Sequence, residues 1–280
     1  RNEQYPGFTV GIDTQADVDS MLIRLKQDGA SLIKTFNRFD PEIYAYLVQK
    51  AREIDLPITH DPGTPLFNRI PVDKAMDLGI TCFEHGKALW PCILRDDLQA
   101  EHDSILAINP PDQEKAQKLA MKIFMSGTKS ISPEKLDLLA QRMASEGSFY
   151  CPTIKVFQLM GEQEGENQFL VKTLEEMSKY ITRALIKHGV RMLAGVDNCF
   201  PLLHDELENL SELGLDEMGI LRSASLYPAL WLRVQDQYGS LSEGKMASIV
   251  IVDENPLSDI SNLRQVRLVL KDGLKVFEKE

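Results

Sequence analysis

SLIKTF (residues 31–36), LPITH (56–60) and CFEHG (82–86) are three short apolar runs, each carrying a chemically capable residue at its end: Lys34, His60 and His85. These residues stand 26 and 25 positions apart, and each run follows a helix-like stretch. That separation is about the length of a strand, loop, helix and return loop, as in a βαβ unit of ~30 residues. Repeating the unit brings each polar residue to the carboxyl end of its strand, where a (β/α) barrel gathers its active site. RMLAGVDN (191–198) delivers Asp197 in the same way. Lys, His, His and Asp converging on one barrel mouth are the residue types of a metal-dependent hydrolase site.

Working outward, 280 residues allow one large domain, or a domain with a small appendage. A net charge of −11 argues against a nucleic-acid partner, which would call for clustered Lys and Arg. The four cysteines, Cys82, Cys92, Cys151 and Cys199, show no CxxC spacing and read as free thiols. No apolar run approaches the ~18 residues of a membrane span. The opening RNEQYPGF has neither an initiator Met nor an apolar leader core, and reads as a cut rather than a beginning. The compartment therefore stays open between cytoplasm and periplasm for a chain expected to be soluble.

Helix signals are clear. Asp13 and Thr14 are N-cap candidates for a helix over roughly 15–28, with Gly29 as its stop. A second helix opens at Asp40-Pro41 and carries Ile43, Leu47, Ala51 and Ile54 on one stripe. Further helices are expected near 112–126, 133–146 and 167–188, and parallel strands near 31–36, 56–60, 80–85, 148–154 and 191–197. The tail changes character: SIVIVD (248–253) and VRLVLKDGLKVF (266–277) are β runs around a turn-rich stretch. Five βα strands fall short of the eight that close a barrel. The chain is thus either a smaller open sheet or a portion of a longer protein.

The tail GSLSEGKMASIVIVDENPLSDISNLRQVRLVLKDGLKVF (239–277) resembles the C-terminal pattern of the amidohydrolase superfamily. Gly239, Gly244, Lys245, Ala247, Asn255, Pro256, Leu257, Lys271, Asp272 and Gly273 match that pattern, and Ser248 stands where the family usually has Asp. Upstream, GASLIKTF resembles the fourth-strand lysine motif, LPITHDPG the fifth-strand histidine and FEHG the sixth. SFYCPTIKV is similar to the seventh strand, and AGVDN to the eighth-strand motif, with Val196 for Thr. The nearest branches are imidazolonepropionase-like and Xaa-Pro-dipeptidase-like. The first-strand HxH pair of the family has no counterpart, since none of the five histidines has a His two positions away.

The resemblance implies an α/β fold: strands four to eight of a (β/α)8 barrel over 1–238, then strands of a small β-sandwich over 239–280. It implies an N-terminally truncated amidohydrolase that cleaves a C–N bond in a small molecule, as a non-peptide amide, a cyclic amide or a dipeptide. One or two divalent ions are implied, zinc being the expected metal. His60 and His85 would ligate metal. Asp197 would be both ligand and general base, and a carboxylated Lys34 would bridge two ions. His204 and Tyr150 are substrate-contact candidates, and a homo-oligomer is compatible with the pattern. Without the HxH partners, the residues present here are expected to be inactive alone. Two other readings are carried: a non-catalytic remnant or partner subunit, and a Schiff-base lyase using Lys34.

Overall fold

The computed structural model describes residues 9–36, 39–63, 66, 69–108, 111–162, 168–197 and 202–279. The chain divides into two compact units, Arg1–Leu139 and Ala140–Glu280. The opening stretch YPGFTVG (5–11), which reads as an extended piece in the sequence, lies largely outside the described residues.

In the first unit, α1 (Gln15–Gln27) starts on a capping box, with Thr14 Oγ1 accepting from the Asp17 N–H and the Asp17 carboxylate accepting from the Thr14 N–H. The parallel strands β1 (Ile33–Phe36), β2 (Ile58–Asp61) and β3 (Cys82–Glu84) lie side by side in that order. Between them run α2 (Pro41–Glu53) and α3 (Val72–Asp77). Asp40 caps α2 by accepting from the Glu42 and Ile43 N–H groups, and Pro41 supplies a preset first turn. Every residue of β2 is buried, as expected of a parallel strand covered on both faces. The helices α4 (Trp90–Ile93), α5 (Asp96–Leu106), α6 (Gln113–Ser126) and α7 (Pro133–Ser145) follow, α7 running past the unit boundary. Leu89, Ile93, Leu94, Ile105, Leu119 and Ile123 are almost wholly buried here, each contributing about 1.5–3 kcal/mol.

The second unit holds the parallel pair β4 (Phe149–Cys151) and β5 (Arg191–Met192), with α8 (Ile154–Glu162) and α9 (Gln168–Lys187) between them. Both strands are shorter than their apolar runs: Pro152 removes a donor directly after β4, and β5 ends at Met192, with the Leu193 N–H donating to the Tyr150 carbonyl at 2.8 Å as the last bond between them among the described residues. Val171, Met177, Ile181 and Leu185 form the buried stripe of α9. Then come α10 (Leu203–Glu212), α11 (Glu217–Ser223) and α12 (Leu226–Trp231).

The C-terminal strands β6 (Ile249–Val252), β7 (Val266–Lys271) and β8 (Leu274–Glu278) form an antiparallel sheet in that order. The run expected as one strand over 266–277 is two, because Asp272 and Gly273 both take positive φ, 51° and 85°, between the paired Lys271 and Leu274. A two-residue Asp-Gly loop with that geometry is the favoured hairpin turn. The chain is therefore α/β, with parallel strands ahead of a three-stranded antiparallel sheet.

Candidate metal centre

Parallel register sorts the strand residues into two faces. Lys34 pairs with Thr59, which pairs with Cys82, and Phe36 pairs with Asp61. Glu84 follows Cys82 by two positions and shares its face. Thr35, His60 and Phe83 pair across the opposite face, the one that receives Tyr44 from α2. Side chains alternate along a strand, so Lys34, Asp61 and Glu84 are brought together while His60 is turned away.

Lys34 Nζ lies 2.5 Å from Glu84 Oε2 and 3.2 Å from Asp61 Oδ2. His85 Nε2 lies 3.3 Å from the same Asp61 Oδ2 and 3.9 Å from Glu84 Oε2. The second oxygen of each carboxylate is held from behind. Thr59 Oγ1 donates to Glu84 Oε1 at 2.8 Å, and the Gly63 N–H donates to Asp61 Oδ1 at 2.8 Å. Anchored in this way, Oδ2 and Oε2 face one point together with the imidazole. His85 reaches it from a strained backbone, with φ 64° and ψ 136°, immediately after β3 ends. Non-glycine residues at such angles cost on the order of 1–3 kcal/mol and concentrate at functional sites.

The electrostatics match the geometry. Burial opposes the charge on Asp61, but His85, Lys34 and the Gly63 N–H outweigh it and hold the carboxyl well below the usual range. Burial likewise opposes the ammonium of Lys34, yet Glu84 and Asp61 keep its pKa above that of an ordinary lysine. Cys82, on the same face, is an inert thiol that burial pushes up to about 12.

Asp61, Glu84 and His85 each offer one ligand atom, all within 4.8 Å of one another. Two carboxylate oxygens and one imidazole nitrogen suit a divalent ion of the zinc or manganese type, and three protein ligands leave a coordination position for water. Hydrogen bonds that fix the far oxygen of a ligand are the outer-shell support such sites use. The donor set therefore fits a divalent metal.

His60 is 2% exposed and engaged on both ring nitrogens. Its Nε2 lies 3.1 Å from the Ile70 carbonyl, and its Nδ1 lies 2.9 Å from Tyr44 Oη and 3.3 Å from Thr35 Oγ1. Donation from Nε2–H to the carbonyl leaves Nδ1 to accept from the tyrosine. Burial pushes the imidazole down to about 4, against the Ile70 carbonyl and the Asp61 charge. Of the predicted residues in the first unit, the structure joins Lys34 and His85 and gives His60 a packing role.

The other three belong to the second unit. Asp197 is exposed beyond β5, with φ 53°. Tyr150 is fully buried in β4. His204, on α10, meets the Leu263 carbonyl through Nε2 at 3.0 Å. Asp61 and Glu84 were not singled out from the sequence, although each is next to a histidine that was.

The amidohydrolase family model matches residues 132–276, just over half of the chain. The chain belongs to the amidohydrolase family. A comparison with curated proteins gives no match. Among solved structures, a Xaa-Pro dipeptidase with bound methionine in its active site is similar at 21% identity and a TM-score of 0.68, covering 96% of this chain and 59% of that one. A putative prolidase from Bifidobacterium longum is 18% identical, with a TM-score of 0.66, covering 99% and 63%. Ochratoxinase from A. niger is 17% identical, with a TM-score of 0.67, covering 99% and 59%. At these identities the likeness is one of fold. The chain spans less than two thirds of the length of each of these proteins.

Proposed function

We propose that the chain supplies strands four to eight of an amidohydrolase barrel over residues 1–238 and β-sandwich strands over 239–280. In the whole protein it would hydrolyse a C–N bond in a small molecule: a non-peptide amide, a cyclic amide or a dipeptide. The observation that carries the reading is the triad of Asp61, Glu84 and His85, its outward oxygens anchored by Thr59 and Gly63, at the strand ends of a family member.

In this reading Asp61, Glu84 and His85 hold a divalent ion. When bound, such an ion lowers the pKa of its water to about 7 and polarises the scissile carbonyl. The remaining work falls to the protein. Thr59 and the Gly63 N–H hold the far oxygens, Glu84 Oε1 and Asp61 Oδ1, and so orient the ligand oxygens Oε2 and Oδ2. The buried Asp61 keeps its charge at neutral pH, so no proton must leave before it can ligate. In the whole protein Asp197, the general base that the family resemblance implies, would be the group to accept a proton from the attacking water and pass it to the leaving nitrogen. Lys34, held as an ammonium by two carboxylates, is a poor nucleophile, which weighs against the lyase reading.

The test uses the full-length protein. It should retain a divalent ion, hydrolyse Xaa-Pro dipeptides or N-acyl amino acids, and lose turnover to a chelator. Asp197→Asn should lower kcat by roughly 10²–10⁴-fold at unchanged metal content. Near-normal kcat in that variant at full occupancy would remove Asp197 from the mechanism. A protein with neither metal nor turnover would sink the whole reading.

A further inference from the structure

Asp197, the base proposed above, belongs to a segment tied at both ends to one short stretch of chain. Ahead of it, the Leu193 N–H donates to the Tyr150 carbonyl of β4 at 2.8 Å. Behind it, Glu206 near the start of α10 accepts from the Ile154 N–H at 3.0 Å and the Lys155 N–H at 2.7 Å, where α8 begins. The Lys155 ammonium adds an ion pair to Asp205 at 3.1 Å. Residues 193 and 206 are thus both fastened to residues 150–155. That stretch follows the carboxyl end of β4, and the segment follows that of β5, the end of parallel strands at which a barrel does its chemistry. The stretch is also under constraint. Thr153, 3% exposed, holds φ 52°, where a β-branched residue is an outlier. Such a conformation persists only where the surroundings over-determine it, and it concentrates at functional sites. The two N–H groups directly after Thr153 are the ones that Glu206 accepts.

We infer that Glu206 is a positioning residue for the reaction. Fully buried, it meets no substrate; it holds the segment that carries Asp197 in place against the turn between β4 and α8. This rests on Asp197 being the general base. A base must stand within hydrogen-bond reach of the proton it takes, and a misplacement of about 1 Å can cost on the order of 10²-fold in rate. A carboxylate suits the task because its two oxygens accept from both N–H groups at once, which fixes α10 against α8 in position and in rotation.

The experiment compares full-length wild type, Glu206→Ala, Glu206→Gln, Asp197→Asn and the double variant Asp197→Asn/Glu206→Ala. Ile181→Ala is the control, since it destabilises the second unit from the buried stripe of α9. Turnover of an Xaa-Pro dipeptide is measured well below melting and at equal metal content. Amide hydrogen exchange is read by mass spectrometry on peptides covering Leu193–Asp197. Glu206→Ala should lower kcat by roughly 30- to 100-fold with KM little changed, and speed exchange about tenfold or more. Glu206→Gln, which keeps one acceptor, should recover most of both, and Ile181→Ala should leave both near wild type. In the Asp197→Asn background, Glu206→Ala should cost less than about threefold, because the group it positions is gone. Losses that multiply in full, or a Glu206→Ala kcat equal to that of the control, overturn the positioning role and leave Asp197 as base. Near-normal kcat in Asp197→Asn removes the base, and the positioning role with it. Exchange reads the tie without turnover: equal rates in Glu206→Ala and the control overturn it. Should Glu206→Ala not fold, Glu206→Gln decides. A kcat about threefold or more below the control, with faster exchange, supports the role, and control values in both overturn it.

Discussion

Glu206 offers the sharpest test of how the second unit is held together. Its side chain is fully buried on α10, yet it is a carboxylate, and it caps a different helix. Oε1 accepts from the Ile154 N–H at 3.0 Å and Oε2 from the Lys155 N–H at 2.7 Å, the first two residues of α8. Burial raises its pKa, with those two N–H groups opposing. Replacing Glu206 with Ala strands both donors inside the protein. Each unsatisfied buried donor costs about 1–3 kcal/mol, so the loss should be roughly 3–5 kcal/mol once the lost packing is added. Glu206→Gln keeps one acceptor and removes the cost of burying charge, and should lose only about 1–2 kcal/mol. Urea unfolding at pH 7, with unchanged m-values, gives the numbers directly. A loss below about 1 kcal/mol for Glu206→Ala would mean that the two N–H groups find other partners and that the cap is not what fixes α8.

Two other outcomes follow from closely packed groups. His60 titrates at about 4 in the fold against 6.5 in the reference state, so the unfolded chain takes the proton first as pH falls. Stability should therefore drop between pH 6.5 and 4, by about 3 kcal/mol at the lower end, and His60→Gln should flatten that slope; equal slopes in the two proteins would refute it. At Gly195, an added Cβ would lie 2.5 Å from Cys151 Sγ. Gly195→Ala should cost about 1–3 kcal/mol, and Cys151→Ala should relieve most of it in a double-mutant cycle on thermal melting; additive losses would place the strain elsewhere.

Much of the fold was legible because its signals are local. Thr14 with Asp17 and Asp40 with Pro41 announce α1 and α2 through the orphan N–H groups of a first turn. The heptad-like spacing in α9 and the apolar runs of β1–β3 reflect periodicities that packing enforces. What failed was local chemistry overridden by a neighbour. Asp272-Gly273 cut an apparently continuous strand because both residues take positive φ there, although the Asp-Gly pair is a hairpin signal. The strands after Ser148 and Val190 stop early, so an apolar run fixed their existence but not their ends.

The site divides along the same line. Choosing the chemically capable residue near the end of each run selects by position in sequence, whereas a sheet selects by parity. Lys34 and His60 are 26 residues apart, but paired register sets Lys34 beside Thr59 and puts His60 on the row of Thr35 and Phe83. A one-residue offset sends a side chain to the other face of the sheet. With Lys34 fixed as the reference, the residues sharing its face are Thr59, Asp61, Cys82 and Glu84, and those include both carboxylates of the triad. His85 escapes the rule because it stands just past β3, where positive φ redirects the chain and brings its ring back over Asp61. The histidine that kept strand geometry was therefore carried into packing against α2, and the one that left it was free to face the carboxylates.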